Sequence, residues 1–278
     1  MCLWHAPAGP APRALLVHVH AFGEEMNKSR RMVATTSRAL AESGAAAVLQ
    51  WDLLGCGDSA GESEDATWSL WLSDVKEAAR LARHRASQLW PDSPAPELWL
   101  WGQRAGCLLA AQALAELDGD PWNLMFWQPV AQGRTVMQQL LRMDAAAAMM
   151  GKPGGGSGPN AKAKLAAGQV AEIAGYRLQP AMAQGLEAAT LRAPAQGRRL
   201  EWLDVALQPD TLPSPAAQSV LQQWRSQGWA VRHHAVAGPA FWQTTEIEDA
   251  PDLVGATLAA LQPLASYTGP ALADAEIV

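Results

Sequence analysis

The segment from Leu98 to Leu109, LWLWGQRAGCLL, has the residue types and spacing of a site that displays one reactive side chain. An apolar strand runs into a helix, and Gly102 and Gly106 permit the close approach of the two elements that a nucleophile elbow requires. In an elbow that attacks a carbonyl, the central residue is Ser, Cys or Asp. Here it is Arg104, whose guanidinium stays protonated and cannot attack. The sequence therefore predicts an elbow without a nucleophile.

A loop upstream of the elbow is expected to supply half of an oxyanion hole. The strand ALLVHVH ends at His20, and the loop AFGEEM follows it. Phe22 is the expected N–H donor from this loop, and Ala105 is the expected donor from the elbow. Two roles stay open for His20, which is either a strand-end imidazole bonded to the backbone or a pocket residue.

A guanidinium held above a sheet loses hydration and needs a negative partner, because it cannot lose its proton. Glu24 and Glu25 are the first candidates to pair with Arg104, since their loop is expected to face the elbow. Asp52 and Asp210 are the second choices. If no carboxylate reaches Arg104, a bound carboxylate, phosphate or sulfate is the alternative partner.

A serine-type triad also needs an acid and a base on later strands or their loops. Asp204 in EWLDVAL and Asp210 in the loop after it are the candidate acids. The loop at 237–242, AGPAFW, contains no histidine where the base belongs. His233 and His234 come earlier, inside a predicted strand, where they point to opposite faces and are expected to be packing or surface residues. The sequence thus argues against serine-type chemistry.

The loop DLLGCGDSAG, residues 52–61, contains two other nucleophilic side chains, Cys56 and Ser59. Its glycines permit a tight turn beside the elbow. No partner base lies nearby in the sequence, so structural roles are expected for Cys56 and Ser59.

Short apolar runs bounded by turn residues alternate with helical patterns, which predicts an α/β fold with a mostly parallel central sheet and helices on both faces. A short edge strand is expected at 3–6. The other predicted strands are ALLVHVH, AAAVLQWD, ELWLWG, NLMFWQP, RLEWLDVAL and WAVRHHAVAG. The predicted helices lie at 28–43, 66–90, 105–118, 214–227 and 250–262.

The alternation breaks between about 131 and 199, which predicts a helical cap inserted into a single domain spanning 1–278. Two helical stretches are expected in this cap, the first at about 134–150. Between them, residues 151–164 are rich in Gly, Pro and Ser and are predicted to form a flexible loop. Residues from Ser266 onward are expected to form a frayed tail.

The amino-acid composition limits which partners and which cellular compartment are expected. A net charge of −6 and a pI near 5.5, without a basic run, argue against nucleic acid. The chain has no run of eighteen apolar residues and no leader pattern at its start, so no membrane span or export is expected. Its three cysteines have neither metal-site spacing nor a paired framework. We therefore expect a cytoplasmic protein with no metal and no cofactor.

Six segments resemble one family, the second type of hydrolase associated with the exosortase A system: GEEMNKSRRM, DLLGCGDSAG, LWLWGQRAG, FWQPV, EIAGYRL and GPAFWQTTEIE. The resemblance implies the α/β-hydrolase fold, with Arg104 as a family feature. One expected departure from the family is the beginning of the chain, where the first strand of that fold is expected to be missing. The resemblance also implies a genetic association with exosortases, which serve C-terminal sorting signals in bacteria that make exopolysaccharide. Proteins of that system are therefore expected partners.

The pocket is expected at the carboxyl ends of the strands. Its predicted lining is His20, Phe22, Asp52, Cys56, Gln103, Arg104, Gln128, Asp210 and Trp242. Two functions remain open at this point. One is a hydrolase acting on an ester, a thioester or another acyl group. The other is a noncatalytic ligand-binding or scaffold protein that kept the fold.

Overall fold

The computed structural model of the protein describes residues 2–119, 121–149, 161–195, 197–209 and 211–263. The strands in these residues are β1 (Cys2–His5), β2 (Ala14–Val19), β3 (Ala46–Trp51), β4 (Glu97–Gln103), β5 (Trp122–Trp127), β6 (Ala171–Ile173), β7 (Tyr176–Leu178), β8 (Arg199–Ala206) and β9 (Ala230–Ala237). The helices are α1 (Glu24–Glu42), α2 (Trp68–Leu89), α3 (Gly106–Leu114), α4 (Gly133–Met149), α5 (Ala161–Ala166), α6 (Pro180–Ala188), α7 (Pro215–Ser226) and α8 (Pro251–Ala260).

Seven strands form one sheet in the order β1-β3-β2-β4-β5-β8-β9. The edge strand β1 runs antiparallel to β3, and the other neighbouring pairs in this sheet are parallel. This confirms the predicted mostly parallel sheet and the short strand at its edge. Because β2 and β4 are neighbours, the loops that follow them lie side by side at the carboxyl end of the sheet.

The sheet is buried on both faces. Leu15 and Val17 of β2 belong to the core that also contains residues of α2, α3 and α7. Leu16 of the same strand belongs to the opposite core, with residues of α1 and α8. Burial on both faces explains why the strands are nearly continuous apolar runs rather than alternating ones.

The segment between β5 and β8 departs from the prediction of two helical stretches joined by a loop. It contains α4, α5 and α6, and also a two-stranded antiparallel hairpin, β6–β7. Residues 161–164, predicted as the end of the flexible loop, instead begin α5, with Ala161 fully buried. The rest of that predicted loop, 151–160, lies outside the described residues, as does the predicted tail from Ser266.

Candidate functional site

The turn after β4 has the conformation of an elbow. Arg104 has a φ of 52°, a left-handed conformation that costs a non-glycine residue about 1–3 kcal/mol. The glycines on either side are required by space. A Cβ on Gly102 would lie 2.7 Å from Cα of Cys107, and a Cβ on Gly106 would lie 2.2 Å from the carbonyl oxygen of Val19. The strained turn therefore displays the side chain of Arg104 at the carboxyl end of the sheet.

Glu25 is the partner of Arg104. Nε of Arg104 donates to Oε1 and Oε2 of Glu25 at 3.1 and 3.2 Å, and Nη2 donates to Oε1 at 3.1 Å. Nη1 donates to the carbonyl oxygen of Gln128 at 3.3 Å. Only 11% of the Arg104 side chain and 16% of the Glu25 side chain are exposed. The guanidinium is thus held on both of its edges by protein groups.

Glu25 reaches the elbow because α1 begins at Glu24, rather than at 28 as predicted. The predicted loop position of both glutamates is wrong, since they lie in the first turn of α1, where the helix dipole favours a negative charge. Glu24, the other first candidate, is exposed and contacts Asn27 and Tyr176 instead of Arg104.

Gln103 and Ser29 fix this turn of α1 against β4. Nε2 of Gln103 donates to Oγ of Ser29 at 2.6 Å, and that hydroxyl donates to the carbonyl oxygen of Glu25 at 2.6 Å. Gln103 was predicted as a pocket residue, but only 1% of it is exposed. It therefore holds, through Ser29, the turn of α1 that carries Glu25, and it is not available to a ligand.

Trp242 covers the guanidinium from the loop after β9. The Cζ atom of Arg104 lies 5.4 Å from the centre of the Trp242 ring, which is within cation–π range. Trp242 belongs to the loop in which a triad histidine was expected, and it is buried. Gln128, with a φ of 44°, accepts from the backbone of Val205 through its side chain at 2.7 Å. Both predicted pocket residues thus pack around Arg104.

The expected oxyanion-hole donors occupy neighbouring loops. Phe22 lies between β2 and α1, and Ala105 caps the N-terminus of α3 directly after the elbow. The ring of Phe22 is buried against Trp71, with ring centres 5.4 Å apart. Their assignment as an oxyanion hole stays a prediction.

The imidazole of His20 is bonded to the backbone, which decides between its two predicted roles. Its Nδ1 lies 2.7 Å from the carbonyl oxygen of Ala21, and its Nε2 lies 3.1 Å from the backbone nitrogen of Leu53. Because the Leu53 N–H can only donate, Nε2 accepts and Nδ1 carries the proton. Burial, above all, lowers the pKa of His20. With both nitrogens engaged, His20 has no free site for a substrate proton.

Asp52, a second-choice partner for Arg104, pairs with Arg30 at 2.9 Å and accepts from the backbone nitrogen of Asp58 at 3.1 Å. Its prediction as a partner of Arg104 is therefore wrong. Cys56 lies in the same loop, and burial raises the pKa of its thiol to about 12. A thiol that stays protonated at neutral pH is a poor nucleophile.

Asp204, a candidate triad acid, does contact a histidine. Its Oδ2 lies 2.9 Å from Nε2 of His233, and its Oδ1 accepts from the indole nitrogen of Trp202 at 2.9 Å. Asp204 and His233 both lie within strands, β8 and β9, and not in the loops that a triad uses. The other candidate acid, Asp210, lies outside the described residues.

A buried charge cluster on the other face of β8 and β9 was missed by sequence reasoning. The carboxylate of Glu201, which has no exposed surface, pairs with Arg199, Arg232 and His234. Both arginines also donate to the carbonyl oxygen of Ala260 at the end of α8. His233 and His234 do point to opposite faces, as predicted, but both are paired with carboxylates and are not simple packing or surface residues. The alternation of charges within each strand was the available signal.

A cavity of about 260 Å³ lies beside the elbow, between the β2–α1 turn and the β6–β7 hairpin. Phe22 and Cys56, two of the predicted pocket residues, line it together with Tyr176. Arg104 and Glu25 are not among its lining residues. This cavity is therefore separate from the ion pair of Arg104 and Glu25. No cluster of three or more metal-binding side chains occurs in the described residues.

Comparisons with known proteins agree with this fold. No family model matches the chain, and no curated protein matches it. A putative hydrolase from Agrobacterium vitis S4 is 16% identical, with 94% of this chain and 92% of that chain covered and a TM-score of 0.57. A lipase in its open form is 18% identical, covering 94% and 93%, with a TM-score of 0.55. An α/β serine hydrolase without a lid from Xanthomonas campestris is 16% identical, covering 94% and 87%, with a TM-score of 0.52.

These likenesses confirm the α/β-hydrolase fold. The narrower resemblance to the exosortase-associated hydrolases stays a prediction. Among the described helices, none is both long and apolar enough to cross a membrane.

Proposed function

We propose that this protein is a noncatalytic binding protein of hydrolase lineage, whose elbow has become a structural lock. The observation that carries the proposal is the ion pair between Arg104 and Glu25 at the position where a nucleophile would stand. The pair is largely buried, and it has a further hydrogen bond to Gln128 and the cover of Trp242. A substrate carbonyl would have to displace this pair before it could reach the elbow.

Acyl transfer requires a nucleophile, a base and N–H donors to the oxyanion. The nucleophile position holds Arg104. The loop for the base holds Trp242, and His233, which pairs with Asp204, lies within β9 and not in that loop. Two of the three requirements therefore lack a competent group, which favours binding over serine-type hydrolysis.

The resemblance in six segments supports a place in an exosortase system, with proteins of that system as partners and a cytoplasmic location. A small molecule or an acyl group is the proposed ligand class. The lock between Arg104 and Glu25 does not depend on that context, since it is formed within the chain itself.

A fluorophosphonate probe and a panel of aryl esters test the proposal. We expect no covalent labelling and no hydrolysis above the buffer rate for the full chain, with an active lipase as the positive control. Labelling that disappears on heat denaturation of the protein, or ester turnover proportional to its concentration, would contradict the proposal.

The second candidate function is hydrolysis through Cys56, because this thiol lines the cavity next to the predicted oxyanion loop. The raised pKa of the thiol argues against it. Cys56→Ser separates the two candidates. If the panel does reveal turnover, loss of that turnover in Cys56→Ser together with rapid alkylation of the parent by iodoacetamide would favour the cysteine hydrolase.

A further inference from the structure

The cavity beside the elbow is built from several parts of the chain and is partly open to solvent. Its floor is the start of α1 and the loop after β3, and its roof is the β6–β7 hairpin with Met182 of α6. Met26 faces it from α1, whereas the preceding residue, Glu25, faces Arg104. The two neighbours on α1 thus separate the cavity from the elbow.

Aromatic rings form one wall of the cavity. Phe22 lies between Trp71 and Tyr176, with ring centres 5.4 and 6.5 Å away and tilted planes. The indole nitrogen of Trp71 donates to the carbonyl oxygen of Leu54 at 2.9 Å, which fixes the orientation of that ring. Fixed rings in tilted contact favour an aromatic guest, which can add edge-to-face or offset contacts of the same kind.

The polar groups at the cavity are neutral. None of the described residues that line it is charged, and Asn27, Ser63, Cys56 and Tyr176 supply its polar atoms. Burial raises the pKa of the Tyr176 hydroxyl to about 12, so this hydroxyl stays protonated at neutral pH. Just outside, the Glu24 carboxylate lies 3.4 Å from that hydroxyl. The guanidinium of Arg30 lies behind Gly57 but is paired with Asp52 at 2.9 Å, so the nearby Glu24 carboxylate and the absence of a cation among the described lining residues disfavour an anionic guest.

We infer that this cavity binds a small uncharged aromatic molecule, of about two fused rings, that carries one hydroxyl or carbonyl group. An apolar cavity of about 150 Å³ holds benzene. The volume here, about 260 Å³, has room for a second ring. The polar group of the guest would bond to Tyr176 or Asn27, whose polar atoms lie 3.4 Å apart. This inference rests on the proposed binding function and names its ligand class.

Calorimetric titration of the full chain with 2-naphthol and with 2-naphthoate tests the inference. We expect saturable binding of 2-naphthol at one site. 2-Naphthoate should bind at least about tenfold more weakly, because no described residue of the lining carries a positive charge to pair with its carboxylate. Tyr176→Phe should weaken 2-naphthol about three- to tenfold, as expected for one hydrogen bond. Equal affinities for the two probes, or no saturable binding of 2-naphthol, would overturn the inference.

Two variants that fill the cavity locate the site. Cys56→Phe and Met182→Phe each place a ring inside the lining and should reduce 2-naphthol affinity at least about tenfold, provided that thermal unfolding shows a folded variant. Met182→Phe serves if Cys56→Phe does not fold. Leu207→Phe is the matched control, since Leu207 is 90% exposed and is not a lining residue. Unchanged affinity in a folded cavity variant would overturn the assigned site.

The outcome is separable from that of the proposed function. Hydrolysis of 2-naphthyl acetate together with fluorophosphonate labelling would refute the noncatalytic role and leave the binding site intact. Absence of 2-naphthol binding with absence of hydrolysis would refute the ligand class alone.

Discussion

Glu25 joins the first turn of α1 to the elbow through the guanidinium of Arg104, with two donors of that group within 3.2 Å of its carboxylate. The pair connects two elements that are 79 residues apart in the chain. Since α1 also packs on β3, the pair ties one helical layer to the centre of the sheet. We therefore expect this ion pair to contribute mainly to the stability of the fold.

Glu25→Gln should therefore destabilise the protein by roughly 2–3 kcal/mol, somewhat less than the loss of a fully buried pair, because part of each side chain is exposed. Chemical denaturation measures this change. Glu25→Met combined with Arg104→Met should cost less than the sum of the single changes, since it leaves no unpaired charge. Asp249→Asn is the matched control, because its pair with Arg31 is largely exposed and should contribute less than about 1 kcal/mol. Equal losses for both pairs would show that Arg104 is not a lock.

Arg104→Ser should not produce an esterase. A new hydroxyl at the elbow would need a base, and the loop after β9 offers Trp242 in that position, while His20 has both nitrogens bonded to the backbone. The variant is best examined together with Glu25→Gln, which removes the carboxylate that would be left unpaired. Hydrolysis of p-nitrophenyl esters well above background by the double variant would mean that a base in this chain has been overlooked.

The sheet and the elbow could be predicted because their signals are local. Apolar runs of strand length, bounded by turn residues, fix the strands, and paired glycines fix the turn at Arg104. The choice between Glu24 and Glu25 could not be made locally. Neighbouring residues on a helix point about 100° apart, so the partner depends on where α1 begins. That start, in turn, depends on packing against β4 through Ser29 and Gln103.

Other features could not be predicted from the sequence, because they depend on the register between strands or on very short elements. His233 lies opposite Trp202 in the β8–β9 pairing, and only this register brings its ring to Asp204. The strands of the β6–β7 hairpin have three residues each, too few for a periodic signal. Ala174 and Gly175 at its turn have φ values of 51° and 85°. Two-residue hairpin turns of this kind are usually recognised in a sequence by Asn-Gly, and here the first residue is alanine.

Gly106→Ala should be strongly destabilising, because its Cβ would meet the carbonyl oxygens of Val19 and His20 at 2.2 and 2.4 Å. Backbone atoms of a central strand cannot move aside, so we expect a loss of at least about 3 kcal/mol or failure to fold. Gly255→Ala in α8 is the matched control. Nothing lies within 4 Å of its added Cβ, and alanine in a helix should stabilise by about 0.5–1 kcal/mol. Similar thermal unfolding of both variants would contradict the close approach at the elbow.

Stability should fall as the pH falls below about 7, and two buried histidines are the cause. Burial lowers the pKa of His18 far below its ordinary value and also lowers that of His20. As the pH falls through about 6.5, the unfolded chain binds protons at these residues while the folded chain does not. Unfolding then becomes more favourable, by up to about 1.4 kcal/mol per pH unit for each histidine, until the folded pKa is reached. Arg30 disfavours protonation of both rings, and Asp52 partly offsets this at His20.

Removing one titrating ring should flatten this pH dependence. In the described structure Nε2 of His18 has no hydrogen-bond partner, and its ring packs edge-on against Trp101 with centres 4.8 Å apart. His18→Phe keeps that aromatic contact and removes the ionisation, so the free energy of unfolding should drop less between pH 7 and pH 5 than in the parent. The raised pKa of the half-buried Asp74 acts in the opposite direction, because a raised carboxyl pKa favours the folded state as the pH falls, but only at lower pH, near the titration of carboxyl groups. Denaturation curves at half-unit pH steps measure how the free energy of unfolding changes with pH in the parent and in His18→Phe. An unchanged slope in His18→Phe would contradict the assignment of the acid sensitivity to this histidine.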